Sequence, residues 1–212
     1  MKKYLAECIG TFALLFCGTG AIIIDQETNG AIGHAGIAMT FGLIVMCMIY
    51  TFGEISGAHF NPAVTIGFAF AGKFDRKEVL PYIVSQIIGA FLATFILKFL
   101  FPLNQNLGST LPTGGQMQAF ILEIILTFLL FLVILNVSQG SKETGLFAGI
   151  AIGGIVLLEA MFAGPICGAS MNPVRSLSPA IVSGNFTDLW VYIFAPILGV
   201  ILATLTWKIL KK

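Results

Sequence analysis

Gly57-Ala58-His59-Phe60-Asn61-Pro62-Ala63-Val64 returns 111 residues later as Gly168-Ala169-Ser170-Met171-Asn172-Pro173-Val174-Arg175. In each copy a Gly-rich turn runs into Asn-Pro. That is a helix start: Asn suits the N-cap, and Pro at the first helical position gives up a donor that no helix would use. Both copies lie in a membrane-length apolar background. Two broken helices in corresponding halves of a membrane protein point to a solute site at mid-membrane. The expectation is a channel or a transporter.

Composition supports a membrane setting. The chain has 212 residues, of which 57% are hydrophobic and 10% charged, and its mean hydropathy is +0.96. Soluble domains of this size do not read so, and an all-α integral membrane protein is expected. A net charge of +1 gives no sign of a nucleic-acid partner. Cys8, Cys17, Cys47 and Cys167 show no ligand spacing, so neither a metal nor a cofactor is expected. Most of them read as small buried hydrophobes, and Cys167, in the second Gly-rich loop, is the one placed to face solvent. The apolar stretch from Tyr4 to Ile24 is too long for a signal core and lacks a cleavage site, so it reads as a retained helix.

Six spans reach the ~20 residues needed to cross hydrocarbon: 4–24, 34–54, 79–100, 116–137, 146–163 and 189–209. Breaks fall at Asp25 to Gly30, Lys73 to Glu78, Pro102 to Gly115, Gln139 to Glu143 and Gly184 to Asp188. Two short segments remain, 61–71 and 172–183. At ~1.5 Å per residue each covers half the bilayer core, and meeting end to end they would complete a seventh, composite span. With both termini in the cytoplasm, Lys2, Lys3, Lys73, Arg76, Lys77, Lys142, Lys208, Lys211 and Lys212 fall inside, and only Lys98 and Arg175 outside. That asymmetry sets the orientation.

The halves repeat beyond the Asn-Pro boxes. Glu7-x-x-x-Thr11-Phe12 in the first helix matches Glu123-x-x-x-Thr127-Phe128 in the fourth. Three helices per half place the copies in opposite orientation, so a single domain over 1–212 is expected, built of inverted repeats 1–114 and 115–212.

Half-helices abutting at mid-membrane direct two positive dipole ends at one point. Asn61 and Asn172 would cap those ends and offer side-chain N–H groups to a passing oxygen. Carbonyls of Gly57, Ala58, His59 and Phe60, and of Gly168, Ala169, Ser170 and Met171, are not consumed by a helix. Such backbone is tolerated at this depth only where it lines a cavity or is buried in protein. The lining suits small neutral hydroxylated molecules and opposes cations. Glu7 and Glu123 are costly in a membrane and are expected to brace the two loops by accepting backbone hydrogen bonds. His59 reads either as a satisfied structural histidine or as a pore residue. Arg175, near the outer mouth, is expected to face the pore and donate to solute oxygens.

These residues resemble the aquaporins, or major intrinsic proteins, over the whole chain. Glu54 to Val64 is similar to the family's first signature and Gly168 to Ser176 to its second, with Val174 where Ala is usual. The resemblance implies six helices, two re-entrant half-helices, the paired boxes Asn61-Pro62-Ala63 and Asn172-Pro173-Val174, a pore in each subunit and a homotetramer in the plasma membrane. It also implies a selectivity constriction at Phe41, Ala160, Ala169 and Arg175. Strict water channels usually have histidine where this chain has Ala160. Glycerol facilitators usually carry aspartate after the arginine, where Ser176 stands. Ser176, Ala180, Tyr192 and Ile193 look like the nodulin-26-like branch, as does Ala163 to Pro173. Phe41 for the frequent Trp, Glu54 for the frequent His, and Val174 depart from that branch.

The expected function is passive passage of water and small uncharged solutes such as glycerol and arsenous or boric acid. A water-selective pore is the alternative in the same class. An ion-coupled transporter would need a titratable cluster at the midplane, where only two asparagines and carbonyls stand. No Ser–His, Cys–His or paired-carboxylate arrangement converges on the boxes, so no catalytic residue and no enzyme is expected. Glu159, beside Ala160, reads as a group hydrogen-bonded to a neighbouring helix, or else as one that reaches the outer vestibule.

Overall fold

The computed structural model describes residues 1–138 and 145–211. Among these, the helices are α1 (Lys2–Glu27), α2 (Gly33–Ser56), α3 (Pro62–Ala71), α4 (Arg76–Leu100), α5 (Gln116–Ser138), α6 (Ala148–Cys167), α7 (Pro173–Ser183) and α8 (Leu189–Leu210). All but α3 and α7 are long and apolar enough to cross a membrane. Hydrocarbon offers backbone N–H and C=O groups no partner, and a helix satisfies them within one segment. Six spans and two half-helices therefore stand where the apolar runs placed them.

One boundary moves. The fifth span continues past 163 through Pro165 to Cys167. Pro165 forfeits one donor, yet the helix carries on to the left-handed Gly168, φ 83°, which ends it. Cys167 is consequently the last residue of a packed helix and fully buried, contrary to the solvent-facing placement. The break from Gln139 to Glu143, with Lys142 and Lys212, lies outside the described residues.

Both chain ends share one face, called here the terminal face. There Lys3 Nζ meets Glu78 Oε2 at 2.9 Å and Tyr50 Oη donates to Leu146 O. On the far face Asn104 donates to Gln26 Oε1 at 3.0 Å, and Trp190 donates to Gln116 Oε1. The principal helix pairs are α1 with α4, α1 with α2, α2 with α6 and α5 with α8. Lipid tails are as apolar as leucine, so helices associate by close van der Waals fit, and small residues mark the crossings. Gly89 on α4 packs closest to a neighbouring backbone, against the Cys8 carbonyl of α1, and Gly42 on α2 and Gly153 on α6 make a reciprocal example. A Cβ on either would lie 2.6 Å from the carbonyl oxygen of the other. Leu80, Phe95, Phe99, Leu158 and Phe162 are exposed on the outside, as a hydrocarbon solvent permits.

Candidate functional site

Local sequence explains the two half-helices. Asn61 has extended backbone, and its side chain accepts from Ala63 N at 2.8 Å; Pro62 opens α3. Asn172 repeats this, accepting from Val174 N at 3.2 Å ahead of Pro173. The two starts meet. Asn61 Nδ2 donates to Met171 O at 2.7 Å, and Asn172 Nδ2 donates to Phe60 O at 2.9 Å. Each side-chain amide thus commits one N–H to the opposing loop and keeps one for the lumen, and the Phe60 and Met171 carbonyls are consumed by that exchange. The acceptors left to a solute come from the other loop carbonyls.

The loops hang on carboxylates. Glu7 accepts from His59 N at 3.0 Å, Phe60 N at 2.7 Å, Ser56 Oγ at 2.7 Å and Gln86 Nε2 at 2.8 Å. Glu123 accepts from Ser170 N and Met171 N, each at 2.7 Å. Both glutamates are fully buried. Loop residues held this way sit at positive φ (Ala58 52°, Phe60 50°, Ala169 41°, Met171 52°), a strained backbone that the surrounding bonds must over-determine.

A cavity of about 770 Å³ runs from Tyr50, Glu54 and Leu146 at the terminal face past both asparagines to Phe41, Ala160, Ala169 and Arg175. Gly57, Ala58, His59, Phe60, Ser170 and Met171 line it as well. Gly168 does not: the Thr110 side chain covers it, and a Cβ there would meet Thr110 Cγ2 at 2.8 Å. Pro62, Ala63, Pro173 and Val174 are buried in the half-helices behind the lining. His59 combines its two readings. Its ring stacks on Phe68 with centroids 4.8 Å apart and its Nδ1 bonds Thr65 Oγ1 at 3.1 Å, while the residue borders the cavity.

Arg175 is nearly fully buried, its guanidinium 5.1 Å from the Phe41 ring centroid. Nη1 donates to Gly108 O at 2.7 Å. Gly108 belongs to the 101–115 segment, which folds inward from the far face. Neither reading of Glu159 fits. It is 4% exposed and lines no part of the cavity, and both carboxylate oxygens lack a hydrogen-bond partner among the described residues. Its place on α6 is set by helical spacing from Val156 and Ala163, which turns it into the packed interior.

Residues 1–207 match the major intrinsic protein family. The chain belongs to that family. Among its relatives, "Aquaporin NIP1-1" of Zea mays is 42% identical over 212 residues, covering all of this chain and 75% of the relative. Nodulin-26 of Glycine max is also 42% identical over 212 residues, covering 78% of its own length. In three dimensions the chain is similar to the X-ray structure of the aquaglyceroporin from Plasmodium falciparum, with a TM-score of 0.88 and 30% identity over 97% of this chain and 94% of that one. This major intrinsic protein is a membrane channel for water and small neutral solutes.

Sequence reasoning missed several residues that hold the site. Gln86, Ser56 and Tyr82 brace the first loop, with Tyr82 Oη donating to Ser56 O at 2.9 Å. A polar Gln86 in an apolar span was a visible signal. Gly108 and Thr110 lie in a connecting segment whose composition says nothing of where it folds.

Proposed function

We propose that this channel passes glycerol and small metalloid acids as well as water, with Phe41, Ala160, Ala169 and Arg175 as its selectivity constriction. The carrying observation is the pair of methyl side chains, Ala160 and Ala169, on the cavity wall facing Phe41 and Arg175. Methyl groups leave room for a three-carbon polyol, whose carbon edge packs on Phe41 while its hydroxyls take donors from Arg175. Further in, Asn61 and Asn172 donate to the solute and the loop carbonyls accept. The positive half-helix ends oppose cations at the same point. Glu7 and Glu123 keep the loops in register for this exchange.

The names of its relatives, aquaporin and aquaglyceroporin, support the solute class. We assign one domain of inverted repeats, 1–114 and 115–212, assembled as a homotetramer in the plasma membrane with the terminal face in the cytoplasm. The lysines near both chain ends support that orientation.

Stopped-flow light scattering on proteoliposomes tests the reading, comparing an osmotic water step with glycerol and arsenous acid gradients. Fast water together with fast solute entry is expected. Ala160→His then suppresses solute entry more than water. Fast water with no solute entry makes the channel water-selective.

A further inference from the structure

The second box carries a chain of hydroxyls that no sequence signature contains as a unit. Thr110 Oγ1 donates to Ser176 Oγ at 2.7 Å. Ser176 Oγ and Ser170 Oγ lie 2.6 Å apart, and Ser170 Oγ donates to Asn172 O at 3.0 Å. A hydroxyl has one proton to give. Ser170 gives its proton to the carbonyl, so Ser176 must donate to Ser170 and accept from Thr110. The direction of the whole chain follows: Thr110 to Ser176 to Ser170 to Asn172 O. All three residues are buried, at 5%, 1% and 5% exposure; Thr110 and Ser176 also lie off the cavity, where a missing partner is not replaced by bulk water.

The first box has the same pair at the same spacing, His59 Nδ1 with Thr65 Oγ1. Its third member is Gln86, which donates to Thr65 Oγ1 at 2.9 Å from the middle of α4. In the second box the third member comes from the 101–115 segment instead. Two residues earlier on that segment, Gly108 O holds Arg175 Nη1. Three residues later, Thr113 Oγ1 donates to Pro165 O at the end of α6.

We propose that Thr110, acting through Ser176 and Ser170, is a positioning residue that sets the bore of the constriction by locking the 101–115 segment, and with it Arg175, against the second box. This deepens the assignment of Phe41, Ala160, Ala169 and Arg175 as the constriction and rests on it. With the lock intact, Gly108 O draws the guanidinium toward the wall above Phe41. With the lock broken, the guanidinium swings into the space that Ala160 and Ala169 leave open. A narrowed bore obstructs the larger solute first.

The test compares wild type, Thr110→Val, Thr110→Ser and Ser176→Ala in proteoliposomes, reading water and glycerol permeability on the same vesicles. Thr110→Val keeps the shape and removes the donor. It is expected to lower the glycerol-to-water ratio about fivefold, the factor equivalent to one hydrogen bond of ordinary net strength. Thr110→Ser restores the ratio, which a purely packing role for the methyl group would not allow. Ser176→Ala breaks the same chain from the helix side and lowers the ratio likewise. An unchanged ratio in Thr110→Val and Ser176→Ala overturns the proposal, and so does failure of Thr110→Ser to restore it. If wild type passes water but no glycerol, the solute assignment fails by itself. The lock is then read from water permeability and amide exchange of residues 101–115: slower water with faster exchange in Thr110→Val upholds it, and no change in either overturns it.

Discussion

The two Asn-Pro boxes share a plan and differ in what holds them. Around the first, Glu7 takes four donors, two from the loop backbone and two from the side chains Ser56 and Gln86. Around the second, Glu123 takes Ser170 N and Met171 N. Tyr82 Oη reaches Ser56 O, whereas Tyr192 Oη has no hydrogen-bond partner among the described residues. Cys167 stands where the first half has Ser56; its thiol, a weaker donor than a hydroxyl, lies 3.5 Å from Ala163 O and also bonds Glu123. Transmembrane side chains secure one box. A segment from the far face secures much of the other, and Glu159 and Tyr192 have no side-chain hydrogen-bond partner among the described residues. The second box, next to Arg175, draws fewer of its bonds from transmembrane side chains than the first.

Removing the braces gives the largest effect. Each buried donor stranded costs about 1–3 kcal/mol. Glu7→Ala strands four N–H and O–H donors and Glu123→Ala two with one weak thiol, so Glu7→Ala should lower the unfolding temperature in detergent more, or give no folded protein. Equal losses, followed by the fluorescence of Trp190 and Trp207, would erase the contrast drawn above.

Next come the crossing glycines, where the halves are alike. Gly42→Ala and Gly153→Ala each drive a Cβ against the other residue's carbonyl, an overpacking cost of about 1–3 kcal/mol. Similar unfolding temperatures are expected for the two variants, and a large difference would mean that one helix yields more easily. Glu159→Met exchanges a buried carboxyl without a protein partner for an apolar side chain of similar length. Stability should rise by about 1 kcal/mol, and a fall would reveal a partner that the fold holds in place. The smallest effect concerns Cys167. Buried and off the lumen, it should leave water permeability unchanged when mercurials are added. Inhibition that disappears in Cys167→Ser would show that this part of the second box opens to reagent.

Much of the fold was legible because hydrocarbon leaves the chain few choices. Apolar runs of bilayer length had to be helices, and the Asn-Pro pairs announced two further starts. The fifth span is expected to end at 163, just before Gly164 and Pro165, whereas the helix runs on to Cys167. Glu7 and Glu123 stood out as charges in need of partners. Glu159 drew attention for the same reason, but its neighbour Ala160 was no guide to its direction, since adjacent helical positions point about 100° apart. The asparagines were expected to offer side-chain N–H groups to a solute, and one N–H of each also joins the opposing loop.

By itself the sequence determined the class of molecule: a helical membrane channel with a doubled Asn-Pro motif, because periodicity, hydropathy and helix-capping chemistry act over short stretches and can be read locally. Only the tertiary structure decided what steadies the site. Gln86 reaching Glu7, Gly108 reaching Arg175 and Thr110 reaching Ser176 join residues 79, 67 and 66 positions apart. Hydrogen bonds act over about 3 Å, and which distant groups come that close depends on how the spans pack and where a connecting segment folds.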